Sequence, residues 1–496
     1  MNPIVILLRH AVAIILTLWL LSACSSTPHD ESISNALPDI YPDYIGVTIP
    51  AATAPLNFGV TTPNDGIYVV AKGNKEGEIT TSGEYADFDI GEWHALTQRN
   101  KGDSIVVTVS VNQDGQWTRY RPFAIHVSND SIGEWGLTYR LIPPGYETYG
   151  DMGIYQRDLS SFEQTAIIQN THIEMGCVNC HTTNRTQPQQ FTFHVRGDLG
   201  ATVIHHDGKT ELLEPRNQQL GGGMVYPFWH PEGRYVAYSS NQTQQLFHQR
   251  SGQRVEVFDN ASDIVVLDTR DYSLLRDDRV AQSEQLENYP AFSPDGRWLY
   301  FCRAHRVDSI WKNYDQIKYD ICRIAYDPEA NAFTGEVETI VDASSSGKSA
   351  NQPRLSYDGR YLLYTISDYG CFPIWHREAD LWMMNLDSGE TQPLTTANSD
   401  DAESFHNWSL NSRWIVFTSR RDNGLYTQLY LAHVAADGTV AKAFMLPQKN
   451  PIVYQQETIY SFNTPDFASQ PLKTSDLNLT GKISDKSRTP TTLRIK

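Results

Sequence analysis

YPFWHPEGRYVAYSSN at 226–241, YPAFSPDGRWLYFCRA at 289–304, QPRLSYDGRYLLYTIS at 352–367 and FHNWSLNSRWIVFTSR at 405–420 are four copies of one pattern. Each runs from an aromatic or polar start through a short turn of the Pro-Asp-Gly kind and a basic residue (Arg234, Arg297, Arg360, Arg413) into an aromatic-rich strand. The copies begin 63, 63 and 53 residues apart, and paired strand-like runs such as DIVVLDTRDYSLL and YDICRIAYD fill the intervals. A period this long holds four strands, the size of a propeller blade, and such a blade cannot bury both faces without neighbours. Within a copy, alternation puts Tyr235, Ala237 and Ser239 on one face and Val236 and Tyr238 on the other. The Asp-Gly pair suits a tight hairpin whose central residues take positive φ. QFTFHVRGDLGATVIHHDGKTELL at 190–213 adds two strands of another blade, and ETIYSFNTPDF is available near the C-terminus to complete it. The expected architecture is therefore all-β, with a propeller of five or six blades over 190–467 and a polar tail over 468–496.

Ahead of the repeats, short alternating runs (GIYVVA, DFDIGEWHAL, SIVVTVSV, RPFAIHVS) separated by Gly, Asn and Asp predict a small antiparallel β-sandwich over 41–130. Its best hairpin turns at Asp114-Gly115, after Ile105, Val107, Val109 and Val111. Residues 131–189 read as a connector with a helical stretch at 158–168. The N-terminus reads as an export signal: Arg9 precedes an apolar run from Ala11 to Leu21 that is short for a mature membrane span. Behind it, 24–40 form a polar tether. Removing residues 1–23 takes away Arg9 alone among the charges, so the formal charge of −18 becomes −19. A surface this acidic argues against nucleic acid as a partner.

The chemistry concentrates in GCVNCHT, residues 176–182. In a C-x-x-C-H motif two thiols can add across the vinyl groups of a haem while the following imidazole takes the iron. Cys177 and Cys180 are then the thioether anchors, presented by one helical turn, and His181 the proximal ligand of a single covalent haem c. A zinc site completed by His172 or His194, and a Cys177–Cys180 disulfide, are the competing readings. Met224, behind Gly221, Gly222 and Gly223, is the candidate for the distal position, because glycines permit close approach to a macrocycle. His172, His194, His205, His206, His230 and His248 are its rivals. Cys302 and Cys322 fall on strands of one blade, as a disulfide or a buried free pair, and Cys371 is expected as a buried thiol. A second polar group, His376, Glu378 and Asp380 with Asp400, Asp401, Glu403 and His406, has the residue types for a divalent metal or for acid–base chemistry, and equally for solvated loop tips. Ser404 lacks a nucleophile elbow and the three glycines lack the Lys-Ser or Lys-Thr of a phosphate loop, so no catalytic residue is assigned.

Leu21, Ser22, Ala23 and Cys24 match the bacterial lipobox, so the N-terminus resembles a lipoprotein signal cleaved before an acylated Cys24. The turn-strand units resemble the TolB family of periplasmic propellers over roughly 190–465. The lipobox, the CxxCH motif, FHVRG, SDYGCFPIWHREADLW and SDDAESFHNWSLNSRWIVFTSRRDNGLYT together resemble the TolB-like haem-motif lipoproteins of Bacteroidetes, often labelled cytochrome c biogenesis or WD-like propeller proteins. The resemblance implies a lipid-anchored envelope location, sorted to the outer membrane given Ser25. It implies electron transfer with an envelope redox partner, or a protein-binding scaffold in which the haem motif is structural or sensory.

Overall fold

The computed structural model describes residues 27–143, 150–214, 220–248 and 255–496; the export signal and Cys24 lie outside them. Six sheets, each with four antiparallel strands and one of them extended by a fifth, form the blades of a β-propeller. The second to sixth follow the chain: strands within 178–213, 223–276, 285–341, 349–393 and 403–445. Blade one closes the ring. Its innermost strand is Ser461–Ala468, paired to Gly136–Ile142, then Gly153–Asp158 and Gln164–Gln169. The C-terminal strand completes this blade and not, as the sequence suggests, the one that holds 190–213, whose inner strand is Val178–Asn184. The other three strands, however, come from the stretch read as a connector, and the helix expected at 158–168 is an antiparallel hairpin, with Tyr155 opposite Ala166. Ile154 and Ile168 are buried on that hairpin, and their covered face outweighs a short helical pattern.

The blades stack through apolar layers. Tyr235, Ile264 and Val266 of blade three meet Phe292, Leu299 and Phe301 of blade four, and Tyr300 and Ile321 of blade four meet Leu362 and Tyr364 of blade five. At about 1.5–3 kcal/mol per buried large side chain, these interfaces are the main drive for ring formation. The repeat turn differs in one detail from expectation: in Ser293–Gly296 only the glycine has positive φ, +72°, and its N–H donates to the Ser293 carbonyl at 2.9 Å. A Cβ at Gly296 would lie 2.2 Å from His230 Nε2 of blade three, so the turn doubles as a blade-to-blade contact.

The N-terminal unit is a seven-stranded sheet with a separate two-stranded ribbon, Ile40–Tyr41 against Gly59–Val60, rather than a sandwich. The segment DFDIGEWHAL, read as a strand, begins the helix Ile90–Arg99, which covers one side of the sheet with Trp93 and Leu96. Asp89 caps it by accepting from Glu92 N–H at 2.9 Å, and Asp-x-x-Glu was a legible start signal. The unit shares one continuous core with blade six, where Tyr44 and Leu56 join Trp414 and Phe417. Even the supposed tether is partly ordered, Ser32–Ile33 running parallel to Gln116–Arg119. The polar tail is also structured. After blade one it forms the helix Leu479–Ser484, whose Leu479 and Ile483 pack on blades one and two, and ends as Thr492–Ile495, a fifth strand on the outer edge of blade three.

Candidate ligand cavity and the cysteine motif

The innermost strands of all six blades carry the same irregularity. Each has one non-glycine residue in the left-handed region: Cys180, Tyr226, Tyr289, Gln352, Phe405 and Thr464, with φ between 46° and 56°. Four are followed by proline and two by histidine, His181 and His406. Pairing to the neighbouring strand is interrupted there in all six blades, a β-bulge that re-aims one side chain. Cys180-His181 is thus the blade-two copy of the Tyr226-Pro227 step that opens the repeat, and the CxxCH motif is the start of an inner strand, Val178–Asn184, rather than an insertion.

This setting replaces the helical turn expected of the motif. In a regular strand, residues an odd number apart face opposite sides. The bulge at Cys180 resets that alternation, and both thiols line one cavity of about 550 Å³ at the mouth of the propeller channel. The cavity has aromatic walls, including Phe372 and Trp375, and three guanidinium side chains, Arg140, Arg196 and Arg420. Among the described residues no carboxylate lines it, although the chain carries 58 acidic against 40 basic residues. Arg140 Nη2 contacts both Cys177 Sγ, at 3.2 Å, and Met152 Sδ, at 3.5 Å. Arg420 stacks on Trp375, its guanidinium carbon 4.4 Å from the ring centroid. Burial raises the Cys180 thiol, with the Arg196 charge opposing.

Cys180, Tyr226, Phe405 and Thr464 form the floor shared with a chamber of about 50 Å³ deeper in the channel, which His181 lines. Burial pulls the His181 imidazole down to about 4, the Thr138 backbone opposing and the Arg140 charge assisting, so the ring is neutral at physiological pH. Its Nδ1 lies 3.5 Å from Thr464 Oγ1, and Nε2 has no hydrogen-bond partner among the described residues. The same chamber holds Asp466, whose Oδ2 accepts from the Thr183 N–H and hydroxyl at 3.0 Å each and whose Oδ1 accepts from Asn407 Nδ2 at 2.8 Å. One side chain of the closing strand therefore ties blades two and six together. Composition gave no sign of this latch, nor of the three arginines, which are scattered in sequence.

Met224 lies elsewhere. It packs among Ile204, Leu220, Trp229 and Tyr238 between blades two and three, outside the cavity that the thiols line. Gly222 approaches protein, not open space: a Cβ there would sit 2.6 Å from the Asn241 carbonyl oxygen. Of the rival histidines, His230 Nε2 pairs with the Gly296 carbonyl at 3.0 Å, His205 Nδ1 with Thr210 Oγ1 at 2.8 Å, and His194 lines an adjoining groove between blades two and three that shares Arg196 and Thr243 with the thiol cavity. The acidic and histidine-rich loops disperse. His376 is buried between Glu256 and Glu378, 3.4 Å from each, and Tyr369 donates to Glu256 at 2.8 Å. Glu403 accepts from Ser399, Ser419 and Arg421. His406 faces the channel with Nε2 3.2 Å from the Leu363 carbonyl. Among the described residues no group of three or more His, Cys, Asp or Glu side chains is arranged to hold a metal ion. Cys302 pairs across the sheet with Ile321, and Cys322 with Phe301, so consecutive alternation turns the two thiols to opposite faces, and neither forms a disulfide. Cys371 is a buried free thiol, 3.7 Å from Asp259.

No protein-family model matches the chain, and no curated protein matches its sequence. Among solved structures it is similar to an oligogalacturonate lyase in complex with manganese, at 13% identity and TM-score 0.35 over 62% of this chain and 73% of that one. It is also similar to a puromycin-hydrolysing peptidase of Mycobacterium tuberculosis, at 11% identity and TM-score 0.36 over 70% of this chain and 52% of that one. An oligogalacturonate lyase from Vibrio parahaemolyticus aligns at 11% identity and TM-score 0.32, over 77% of this chain and 94% of the lyase.

Proposed function

We propose that the mouth cavity carries one covalent c-type haem, anchored by Cys177 and Cys180 with His181 as the proximal ligand, on a propeller that acts in electron transfer at the cell envelope. The supporting observation is that both thiols of the motif line one cavity with aromatic walls, three guanidinium groups and, among the described residues, no carboxylate, in an otherwise acidic chain. A haem carries two carboxylates on a flat apolar ring, and arginine binds carboxylates through paired, charge-assisted hydrogen bonds. The neutral, buried His181 ring with a partnerless Nε2 has the donor state that iron requires. Bound there, the haem would supply a one-electron couple whose potential follows from its axial ligands and surroundings. The chain's own contribution is to hold the thiols on one side of a bulged strand, to offset the carboxylate charge with Arg140, Arg196 and Arg420, and to limit water with Phe372 and Trp375. The lipobox at Cys24 accounts for tethering the chain at a membrane, on the periplasmic or surface face of the outer membrane.

A second reading has its own support. Cys180-His181 occupies the place that Tyr226-Pro227 and Phe405-His406 fill in other blades, so propeller geometry alone would account for the pair. The chain would then be a protein-binding scaffold of the TolB kind. The two part on one measurement: the intact mass and alkaline pyridine spectrum of full-length protein expressed with a haem-attachment system. One haem that survives acid–acetone extraction supports the first reading, and colourless folded protein refutes it.

A further inference from the structure

We propose that the propeller channel carries a small-anion site, in which a chloride ion sits in the chamber below the mouth cavity, between the Arg354 guanidinium and the Gln352 amide. The site goes beyond the haem reading and uses neither thiol of the motif. Arg354 reaches from the inner strand of blade five to Phe228 of blade three, its guanidinium carbon 5.1 Å from that ring centroid, so a cation lies across the channel. It lines both the chamber of about 50 Å³ and a second of about 30 Å³ further along. Its Nη1 donates to the Pro353 carbonyl at 2.9 Å. Among the described residues Nε and Nη2 have no acceptor, and no carboxylate oxygen lies within 4.0 Å of the group. Water solvates such a charge without offsetting it, and charges withdrawn from bulk water are normally paired.

Gln352 supplies the second donor. It is 3% exposed, and its Oε1 accepts from the Phe405 N–H of blade six at 2.8 Å, which fixes the amide so that its NH2 end is left over. That Nε2 is buried with no partner among the described residues, a costly state that an anion relieves together with the guanidinium. Asp466 lines the same chamber but is committed elsewhere, Oδ2 to the Thr183 N–H and hydroxyl and Oδ1 to Asn407. The two histidines of the chamber, His181 and His406, are pulled down to about 4 and about 3 by burial, so neither competes as a cation. The volume suits a monatomic anion with a water or two.

The test follows thermal unfolding of the full-length chain while sodium chloride replaces sodium gluconate at constant ionic strength. An ion that binds only the folded ring raises the midpoint saturably, so the wild-type Tm should climb and level off. Gln352→Glu keeps an acceptor for the Phe405 N–H and puts a carboxylate opposite Arg354 in place of the ion; its Tm should show no such rise. Arg354→Gln, which removes the cation, should be equally indifferent to chloride. Should neither variant fold, wild-type crystals grown in sodium bromide decide: an anomalous peak within contact of Arg354 and Gln352 supports the site. A chamber that holds water only, or a Gln352→Glu chain whose Tm follows chloride as the wild type does, overturns it. Haem content, read by mass on the same samples, enters neither outcome, so failure of the anion site leaves the haem reading standing.

Discussion

The buried His376 makes stability depend on pH in a window that it shares with Glu287, whose carboxyl burial lifts to about 8. Burial alone would depress its imidazole, but Glu256 and Glu378 outweigh it and raise the ring from 6.5 to about 9. A raised folded value means that the stabilisation is fully present below pH 6.5 and is lost as pH climbs through about 9. At 1.36 kcal/mol per pH unit the loss from this group amounts to about 3 kcal/mol. His376 is 2% exposed and Glu256 1% exposed, so solvent screening removes little of it. His376→Gln deletes the cation and leaves the Glu256 carboxylate buried without it, at a cost of about 3–5 kcal/mol at pH 6.5. Urea denaturation followed by tryptophan fluorescence, repeated between pH 6 and pH 10, measures both effects. The wild type should weaken steadily across that range, and the variant should start low, keep only the slope that Glu287 gives below about pH 8, and be level above it. A wild-type profile that is flat between pH 7 and pH 9.5, or a variant that keeps the wild-type slope, would refute the imidazolium.

Three further outcomes follow from the packing. Asp466→Ala should cost about 3 kcal/mol and broaden the unfolding transition, because it strands the half-buried Thr183 and Asn407 donors at the ring closure; equal midpoints for variant and wild type in thermal denaturation would argue against the latch. Ile483→Ala, at a fully buried position of the C-terminal helix, should cost about 2–5 kcal/mol, and limited proteolysis should then release the segment after residue 470; an unchanged cleavage pattern would show that the strap carries no load. Cys302 and Cys322 should both alkylate in denaturant without reductant, whereas a disulfide between them would leave both unlabelled.

How much was legible depends on the range of the interaction. The blade period was, because alternation and turn chemistry are written within about sixteen residues of each copy, and the copies happen to begin at the left-handed residue of each inner strand. The helix at Ile90–Arg99 was legible too, through Asp89 and Glu92, but its apolar residues also fit a short strand. The connector was misread because Gly136–Ile142 and its partners gain their blade from a strand more than 300 residues away, and no local pattern carries that pairing.

The site divides in the same way. The residue types of the motif, two thiols and an imidazole at fixed spacing, come from the sequence and limit the chemistry to a thiol-linked cofactor, a metal or a structural role. Where those groups point is a tertiary matter. A bulge common to the six inner strands turns two thiols of opposite parity into one cavity, and ring closure brings Arg140, Arg196, Arg420 and Met152 from three blades to its walls. Side-chain direction in a strand depends on register, and register is set only when each blade is pressed against its neighbours.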